Sequence, residues 1–211
     1  MSKKQALTEF HRGSILAAAE RLFAEKGTER TTMDDIAREA EYSKATLYVY
    51  FQSKEEIITA ILLSGMVLLK KKVHEAIESH SDWYQAYDAV CRAIARFYDE
   101  NPTAYDAATG TLPMVQKQDD AQKGMADILR VSGEIDEELA AFLMRGKQVG
   151  AVRTQLAPLE AVMIFWSALS GMVHTAELRE RYIRDTLKLS REEFLQHGTQ
   201  LLLAAFTQEK I

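Results

Sequence analysis

Residues 31–55 read TTMDDIAREAEYSKATLYVYFQSKE, a stretch whose caps and apolar spacing predict two short helices. Thr32 followed by Asp35 is a variant of the capping box that opens a helix, and Ser43 is a typical N-cap residue. We therefore expect one helix over about 33–40 and a second over about 44–50. Their shared interior face is predicted to consist of Ile36, Ala37, Ala40, Leu47 and Phe51.

A longer helix is predicted on each side of this pair. The preceding one carries an apolar stripe that begins at Ile15 and ends before Lys26-Gly27, a cation followed by a glycine, which is typical of a helix C-terminus. The following one opens with the capping box of residues 53–56 and runs to about Ser79. This order is typical of a DNA-binding helix-turn-helix, whose second short helix enters the major groove.

Helices are predicted in the rest of the chain as well, over about 82–100, 119–148, 158–179 and 190–208. The helix over 82–100 has apolar residues on two faces, which predicts an interior position. Residues 103–118 are interrupted by Gly110 and Pro113. No segment alternates as a strand does, so we predict an all-α fold of about nine helices. It would comprise a three-helix domain over 1–53 and a helical domain over 54–211.

Composition limits the class of protein. The 211 residues are 47% hydrophobic and 27% charged, typical of a globular chain. The single cysteine, Cys91, excludes a disulfide framework and a cysteine-based structural zinc site. Residues 1–54 carry a net charge of +1, against −6 for the remainder, the sign expected of an N-terminal DNA-binding part. We found no signal peptide, and the uncharged stretch between Glu160 and Glu177, 16 residues long, is shorter than a typical membrane span, so a cytoplasmic location is predicted.

Residues 31–40 and 43–55, together with the preceding helix that ends at Gly27, resemble the TetR family of bacterial transcriptional regulators. The resemblance covers about residues 12–60 and includes the run Thr46-Leu47-Tyr48-Val49-Tyr50-Phe51-Gln52-Ser53-Lys54-Glu55. Two positions depart from the family pattern, Glu41 and Ala45, each standing where the family often has glycine. A side chain at position 41 would carry backbone strain of about 1 kcal/mol if φ is positive there.

The resemblance and the helix-turn-helix layout together predict a set of DNA-contacting residues. Lys44 is expected to reach a guanine edge or a phosphate, and Ala45 and Val49 a thymine methyl group. Lys54 and the backbone at its helix start are expected to form a phosphate site. The full predicted set is Thr32, Tyr42, Ser43, Lys44, Ala45, Thr46, Tyr48, Val49, Tyr50 and Lys54. The alternative roles are capping for Thr32 and Ser43, core packing for Tyr48 and solvent exposure for Tyr42.

The remainder of the chain is predicted to bind an effector and a second copy of itself. Residues 161–173 are apolar nearly all round, so one side could face the subunit core and the other a partner. By resemblance, the last two long helices would pair across a two-fold axis. An apolar pocket for an unknown small-molecule effector is expected among Met66, Tyr84, Tyr87, Tyr98, Tyr105, Met114, Met125, Phe142, Phe165 and Trp166, although each of these is alternatively plain core.

Three functional hypotheses follow. The first is a homodimeric, effector-responsive repressor that binds a palindromic DNA operator, with an activator possible on the same architecture. The second is an effector-binding or scaffold protein whose DNA-binding part has lost operator affinity, motivated by the acidic balance and by Glu41. The third is an enzyme, which no catalytic motif supports. No cofactor, metal or membrane contact is expected.

Overall fold

The protein was analysed as a computed structural model that describes residues 2–102, 104–105 and 119–207. Residues 106–118, with the predicted interruptions at Gly110 and Pro113, lie outside the described residues. The N-terminal helices are α1 (Lys3–Lys26), α2 (Met33–Glu39), α3 (Lys44–Tyr50) and α4 (Lys54–Glu78). The predicted bounds of the two short helices are thus confirmed to within one residue.

The later helices are α5 (Trp83–Glu100), α6 (Asp119–Gln148), α7 (Pro158–Leu178), α8 (Glu180–Tyr182) and α9 (Arg191–Thr207), with a π-helical turn at Ile183–Leu187. The part of the chain that the structure describes contains no strand, which confirms the predicted all-α class. α6 continues without a break through Gly124 and Gly133.

The chain divides into two compact units, Met1–Leu68 with Asn101–Val131 and Leu69–Glu100 with Ser132–Ile211. The domain boundary predicted at residues 53 and 54 stays a prediction. In the first unit, a cluster of buried side chains from α1 to α4 forms the core. Its members are Ile15, Ala19, Phe23, Ile36, Ala37, Leu47, Phe51, Ile57 and Ile61. Burial of these side chains is the main force that holds the two short helices, since helices of seven residues are not stable alone.

In the second unit, ion pairs join α4 and α6 at successive turns. Lys70 pairs with Glu134 at 2.8 Å, and Arg145 lies 3.3 Å from Glu78. α6 also approaches α5 closely at Gly146, where a Cβ atom would meet the Trp83 ring at 2.6 Å. A side chain at position 146 would therefore force the two apart.

The prediction that α5 is apolar on two sides needs correction. Its buried residues form a single stripe: Trp83, Ala86, Tyr87, Val90, Cys91, Ile94 and Phe97. Tyr84 is 48% exposed, and Arg92 and Arg96 are exposed. Tyrosine counts as apolar in a pattern of residue types, but a phenol can remain at the surface with its hydroxyl in water.

Helix α7 is long and apolar enough to cross a membrane by length and composition alone. A third of its most apolar stretch is buried within the chain. Core helices pass the same test, so the feature is weak support for a membrane span. It does identify an apolar surface on α7 that this single chain leaves uncovered.

Candidate nucleic-acid interface

The turn between α2 and α3 has a left-handed residue at Glu41, with φ of 61°. The Glu41 N–H donates to the Arg38 carbonyl at 3.2 Å, and the Tyr42 N–H donates to the Ala37 carbonyl at 2.9 Å. These two hydrogen bonds satisfy carbonyl groups at the end of α2, as they do in helices that end at a left-handed glycine. Here the left-handed position is occupied by a residue with a side chain. The strain expected at position 41 is present, and the turn forms nonetheless.

Ser43 caps α3. Its Oγ accepts a hydrogen bond from the Thr46 N–H at 3.0 Å and lies 2.8 Å from the Thr46 hydroxyl. The predicted capping role of Ser43 is confirmed. In the free protein the Thr46 hydroxyl is already paired with Ser43, so its contact with DNA stays a prediction that requires this pair to rearrange.

One face of α3 is exposed and the opposite face is buried. Leu47 is fully buried, whereas Val49 is 74% and Tyr48 38% exposed. Lys44 and Ala45 are exposed beside them. Residues one turn apart share a helix face, so Lys44, Ala45, Tyr48 and Val49 form one continuous surface, which we call the α3 face. Tyr48, 38% exposed, is also partly packed, which agrees with the alternative of partial core packing for this residue.

Lys44, at the start of the α3 face, pairs with Asp34 of α2. The Lys44 Nζ lies 2.7 Å from Asp34 Oδ1, and both side chains are more than half exposed. The hydrogen bond that the Lys44 ammonium donates to the Asp34 carboxylate raises the pKa of Lys44 above its usual value. Sequence reasoning missed Asp34 as a neighbour of Lys44, because the two are ten positions apart on different helices.

Tyr42 and Tyr50 both contact His11 of α1. The Tyr42 hydroxyl lies 2.6 Å from His11 Nδ1, and the Tyr50 ring centroid is 5.4 Å from that of His11. Neither tyrosine belongs to the α3 face in the free protein. The expectation that Tyr42 meets only solvent is wrong, because its hydroxyl is bonded within the fold.

Arg12 is a second residue of α1 that the sequence did not single out. Its Nη1 donates to the Tyr50 carbonyl at 2.6 Å, and its guanidinium lies 4.0 Å from the centre of the Phe51 ring. Arg12 therefore satisfies a carbonyl at the end of α3 and packs on the core residue beside it. The sequence could have indicated this contact, because Arg12 lies one helical turn before Ile15 and therefore on the side of α1 that faces the core.

Thr32 and Asp35 form the predicted capping box of α2. The Asp35 N–H donates to Thr32 Oγ1 at 3.2 Å, and the Thr32 N–H donates to Asp35 Oδ2 at 3.1 Å. Lys26 lies 2.8 Å from the same carboxylate. The Lys26 ammonium and the Thr32 donors hold the pKa of Asp35 well below its usual range. Thr32 thus has a structural role that does not require DNA.

Lys54 has a different environment from the predicted one. Its Nζ donates to the carbonyls of Thr28 and Thr31 at 2.8 and 3.1 Å. The ammonium therefore joins the start of α4 to the loop between α1 and α2, rather than pointing free toward a phosphate. Carbonyl oxygens 23 and 26 positions earlier in the chain take up two of its three donors, and the phosphate contact of the side chain stays a prediction.

Three of the predicted effector residues meet in the second unit, but they leave almost no space. Tyr87, Phe142 and Phe165 line a void of about 10 Å³, which is near the lower limit for one water molecule. The Tyr87 hydroxyl donates to the Thr199 carbonyl at 2.9 Å, so this phenol is satisfied within the fold. In this conformation the three aromatics are packed core.

The other predicted effector residues are dispersed. Tyr84 is exposed, Tyr98 packs edge-on against His174, and the Trp166 indole donates to Asp136 at 3.1 Å. Met66 and Tyr105 are buried in the first unit, which also contains Met125. Met114 lies outside the described residues. None of these side chains lines the larger cavity described next.

A cavity of about 300 Å³ lies in the second unit between α5, α7 and α9. Its walls include Leu169 and Leu195 together with the charged residues Arg96, Asp99 and Arg191. Sequence reasoning missed it, because its residues come from helices up to about 100 positions apart. Within the described residues, no group of three or more His, Cys, Asp or Glu side chains is arranged to hold a metal ion.

The N-terminal part of the chain matches a known family. Residues 15–61 match the model of the bacterial regulatory proteins of the tetR family. The uncharacterized HTH-type transcriptional regulator YfiR of Bacillus subtilis is 32% identical over 102 residues, which are 48% of this chain and 46% of YfiR. The alignment thus spans about half the length of this curated relative.

Solved structures resemble nearly the whole chain. The TetR family transcriptional regulator PfmR from Thermus thermophilus is 28% identical with a TM-score of 0.67, covering 90% of this chain and 97% of PfmR. AibR, solved with isovaleryl coenzyme A and operator DNA, is 21% identical with a TM-score of 0.68, covering 93% of this chain and 98% of AibR. The second likeness concerns the fold alone. Residues 15–61 thus match the tetR family of bacterial regulatory proteins, and the fold of nearly the whole chain is similar to that of a solved TetR family transcriptional regulator.

Proposed function

We propose that this protein is a homodimeric transcription regulator that binds an operator through the α3 face and releases it when a small molecule binds. The exposure of Lys44, Ala45, Tyr48 and Val49 on one side of α3, opposite buried Leu47, carries the proposal. Apolar side chains gain nothing from exposure to water, whereas they match thymine methyl groups in a major groove, where a lysine matches guanine edges and phosphates.

Fluorescence anisotropy on duplexes from the upstream region of the gene, and from a random pool, tests DNA binding. We expect Lys44→Ala and Tyr48→Ala each to weaken binding at least tenfold, because a good base or phosphate contact contributes about 1–3 kcal/mol. Lys71→Ala is the matched control, since Lys71 is an exposed lysine of α4. Equal binding by all four proteins would contradict the proposal. Absence of binding to any duplex would favour a protein whose DNA-binding part has lost its affinity.

Dimerisation is proposed through α7 and α9. On α7, Leu159, Met163, Ile164 and Leu178 are exposed on the side opposite the buried Phe165 and Leu169. Leu201 of α9 is 75% exposed. An uncovered apolar surface of this kind marks an interaction site. A second copy is the proposed occupant, because a two-fold pair would present two α3 helices to the half-sites of a palindrome.

Sedimentation equilibrium tests the dimer. We expect Met163→Glu with Leu201→Glu to shift the wild-type dimer to monomer, since two unpaired charges would be buried at the interface. Leu129→Glu is the control, because Leu129 is an exposed leucine of α6 outside this surface. A double variant that sediments as the wild type does would show that the dimer, if any, uses another surface.

Effector release is proposed by likeness to AibR, which was solved with an acyl coenzyme A and DNA. A ligand that favours one conformation of the dimer lowers DNA affinity by the same factor as DNA lowers ligand affinity. Helix α4 begins beside the helix-turn-helix and its residues belong to both compact units, so it is the proposed element of transmission. An effector that binds without changing operator affinity would contradict this part.

A further inference from the structure

The cavity between α5, α7 and α9 contains the half-buried guanidinium of Arg191, some of whose donors lack an aligned acceptor. Arg191 Nε and Nη2 are both inaccessible to solvent and without a hydrogen-bond acceptor among the described residues. The Arg191 Nη1 donates to Asp99 Oδ2 at 3.1 Å, and Nη2 lies 2.8 Å from Asp99 Oδ1 without hydrogen-bond alignment. Buried donors of a charged group are costly when unpaired, so an acceptor is expected at this site.

A second cation of the same wall is free. Arg96 lines the cavity and makes no ion pair within the described part of the chain, whereas Arg92 is paired with Asp88 at 2.7 Å. Each acid on the α5 side of the cavity is therefore matched by its own arginine. The remaining acid in the wall, Glu192, is exposed on the first turn of α9.

The rest of the wall combines the polar Gln196 and Thr199 with apolar side chains. Leu169 is fully buried and Leu195 nearly so. Burial raises the pKa of the Cys91 thiol to about 12, so this side chain is neutral and acts as a further apolar group. With a volume of about 300 Å³, the cavity holds on the order of ten groups the size of a water molecule.

We infer that this cavity binds a compact organic carboxylate, with its charged head held by Arg191 and Arg96 and its apolar body against Leu169 and Leu195. A planar carboxylate can accept two hydrogen bonds from one guanidinium edge, which the exposed Arg96 presents to the cavity, while Arg191 Nε lies in the same wall without an acceptor. A phosphate monoester carries up to two charges, which the single spare cation beside Glu192 does not balance. The inference deepens the proposed function and rests on it, since it names the class of effector.

Isothermal titration calorimetry on the full chain without DNA tests the site with butyrate and hexanoate. Hexanoate, with two more methylenes, should bind about nine- to sixteenfold more tightly than butyrate, because each buried methylene adds about three- to fourfold. 1-Hexanol and hexylamine, which lack the carboxylate, should bind at least tenfold more weakly than hexanoate. Hexyl phosphate binding more tightly than hexanoate would overturn the assignment to a carboxylate.

Two variants locate the site. Arg191→Gln and Arg96→Gln should each weaken hexanoate binding at least tenfold, as expected for a lost charged hydrogen bond. Arg181→Gln is the control, since Arg181 is exposed in the same unit and does not line the cavity. If loss of the Asp99 pair unfolds Arg191→Gln, Arg96→Gln still decides, because its side chain is exposed and unpaired in the described residues. Equal binding by Arg96→Gln and wild type would overturn the inference.

A separate anisotropy titration of the operator complex with hexanoate distinguishes this inference from the proposed function. Hexanoate that binds in calorimetry but leaves operator affinity unchanged would support the carboxylate site and contradict the proposed release. Release of the operator by an uncharged compound, with no carboxylate binding in calorimetry, would overturn the site and support the proposed release.

Discussion

Lys44 Nζ lies 2.7 Å from Asp34 Oδ1, so the cation that begins the α3 face is paired with an acid of α2 in the free protein. Both side chains are exposed, and water screens their attraction. A phosphate or a guanine edge must take the place of Asp34 when DNA binds. Asp34 therefore competes with DNA for Lys44, and its charge also repels the phosphate backbone.

We expect Asp34→Asn to strengthen operator binding severalfold, because Lys44 then reaches DNA without first leaving Asp34, and to leave the salt dependence of binding close to that of wild type. Lys44 neutralises the same phosphate in both complexes, so the slope of log K against log salt, about −0.9 per phosphate, counts the same contacts. Anisotropy at several salt concentrations measures both quantities. Glu29→Gln, which removes an exposed acid from the loop between α1 and α2, is the comparison. Weaker binding by Asp34→Asn would show instead that Asp34 positions Lys44.

Glu41 combines backbone strain with a negative charge, and two substitutions separate them. Glu41→Gly removes both, and its φ of 61° costs glycine nothing. Glu41→Gln removes only the charge. We expect urea denaturation to show Glu41→Gly more stable than Glu41→Gln by about 0.5–1 kcal/mol. Both variants should bind DNA more tightly than wild type, and a glycine variant no more stable than the glutamine variant would disprove the strain.

The two hydrogen bonds from Lys54 to backbone carbonyls predict that its loss lowers stability rather than DNA binding. We expect Lys54→Met to lower the free energy of unfolding by about 1–3 kcal/mol, the range for hydrogen bonds to a charged group. The salt slope of DNA binding by the folded variant should stay that of wild type, because the ammonium already lies on the Thr28 and Thr31 carbonyls. A salt slope reduced by about one unit would instead show that Lys54 contacts a phosphate, as expected from the sequence.

Cys91 predicts a dependence of stability on alkaline pH. Burial raises its folded pKa to about 12, above the value of about 8.5 in an unfolded chain. The neutral thiol therefore makes its full contribution to the free energy of unfolding below about pH 8.5, and this contribution is lost as the pH rises toward the folded pKa. The unfolding temperature of wild type should fall further between pH 8 and pH 10 than the unfolding temperature of Cys91→Ser. Identical pH profiles for the two proteins would show that the thiol is not buried in solution.

Most of the helix-turn-helix could be predicted, because its signals are local. The capping box of Thr32 with Asp35 and the cap of Ser43 connect residues three positions apart and form as expected. The alternation of buried Leu47 with exposed Val49 follows from helix geometry alone. The DNA contacts assigned to these residues stay predictions.

Long-range partners were not predictable from residue types. Tyr42 was expected at phosphate or in solvent, but its hydroxyl bonds to His11, 31 positions earlier. The aromatic residues expected to form a pocket leave only a void of about 10 Å³ at Tyr87, Phe142 and Phe165. A pattern of apolar residues indicates burial, but only the fit between helices decides whether buried side chains enclose a space.

The sequence by itself determined the all-α class, the bounds of the two short helices and the family, because caps, turns and helical periodicity depend on neighbours within about four positions. Only the tertiary structure decided that Lys54 serves the loop before α2 and that Arg96 and Arg191, 95 positions apart, line one cavity. These relationships arise from the packing of whole helices, which sets distances that no short stretch of sequence contains.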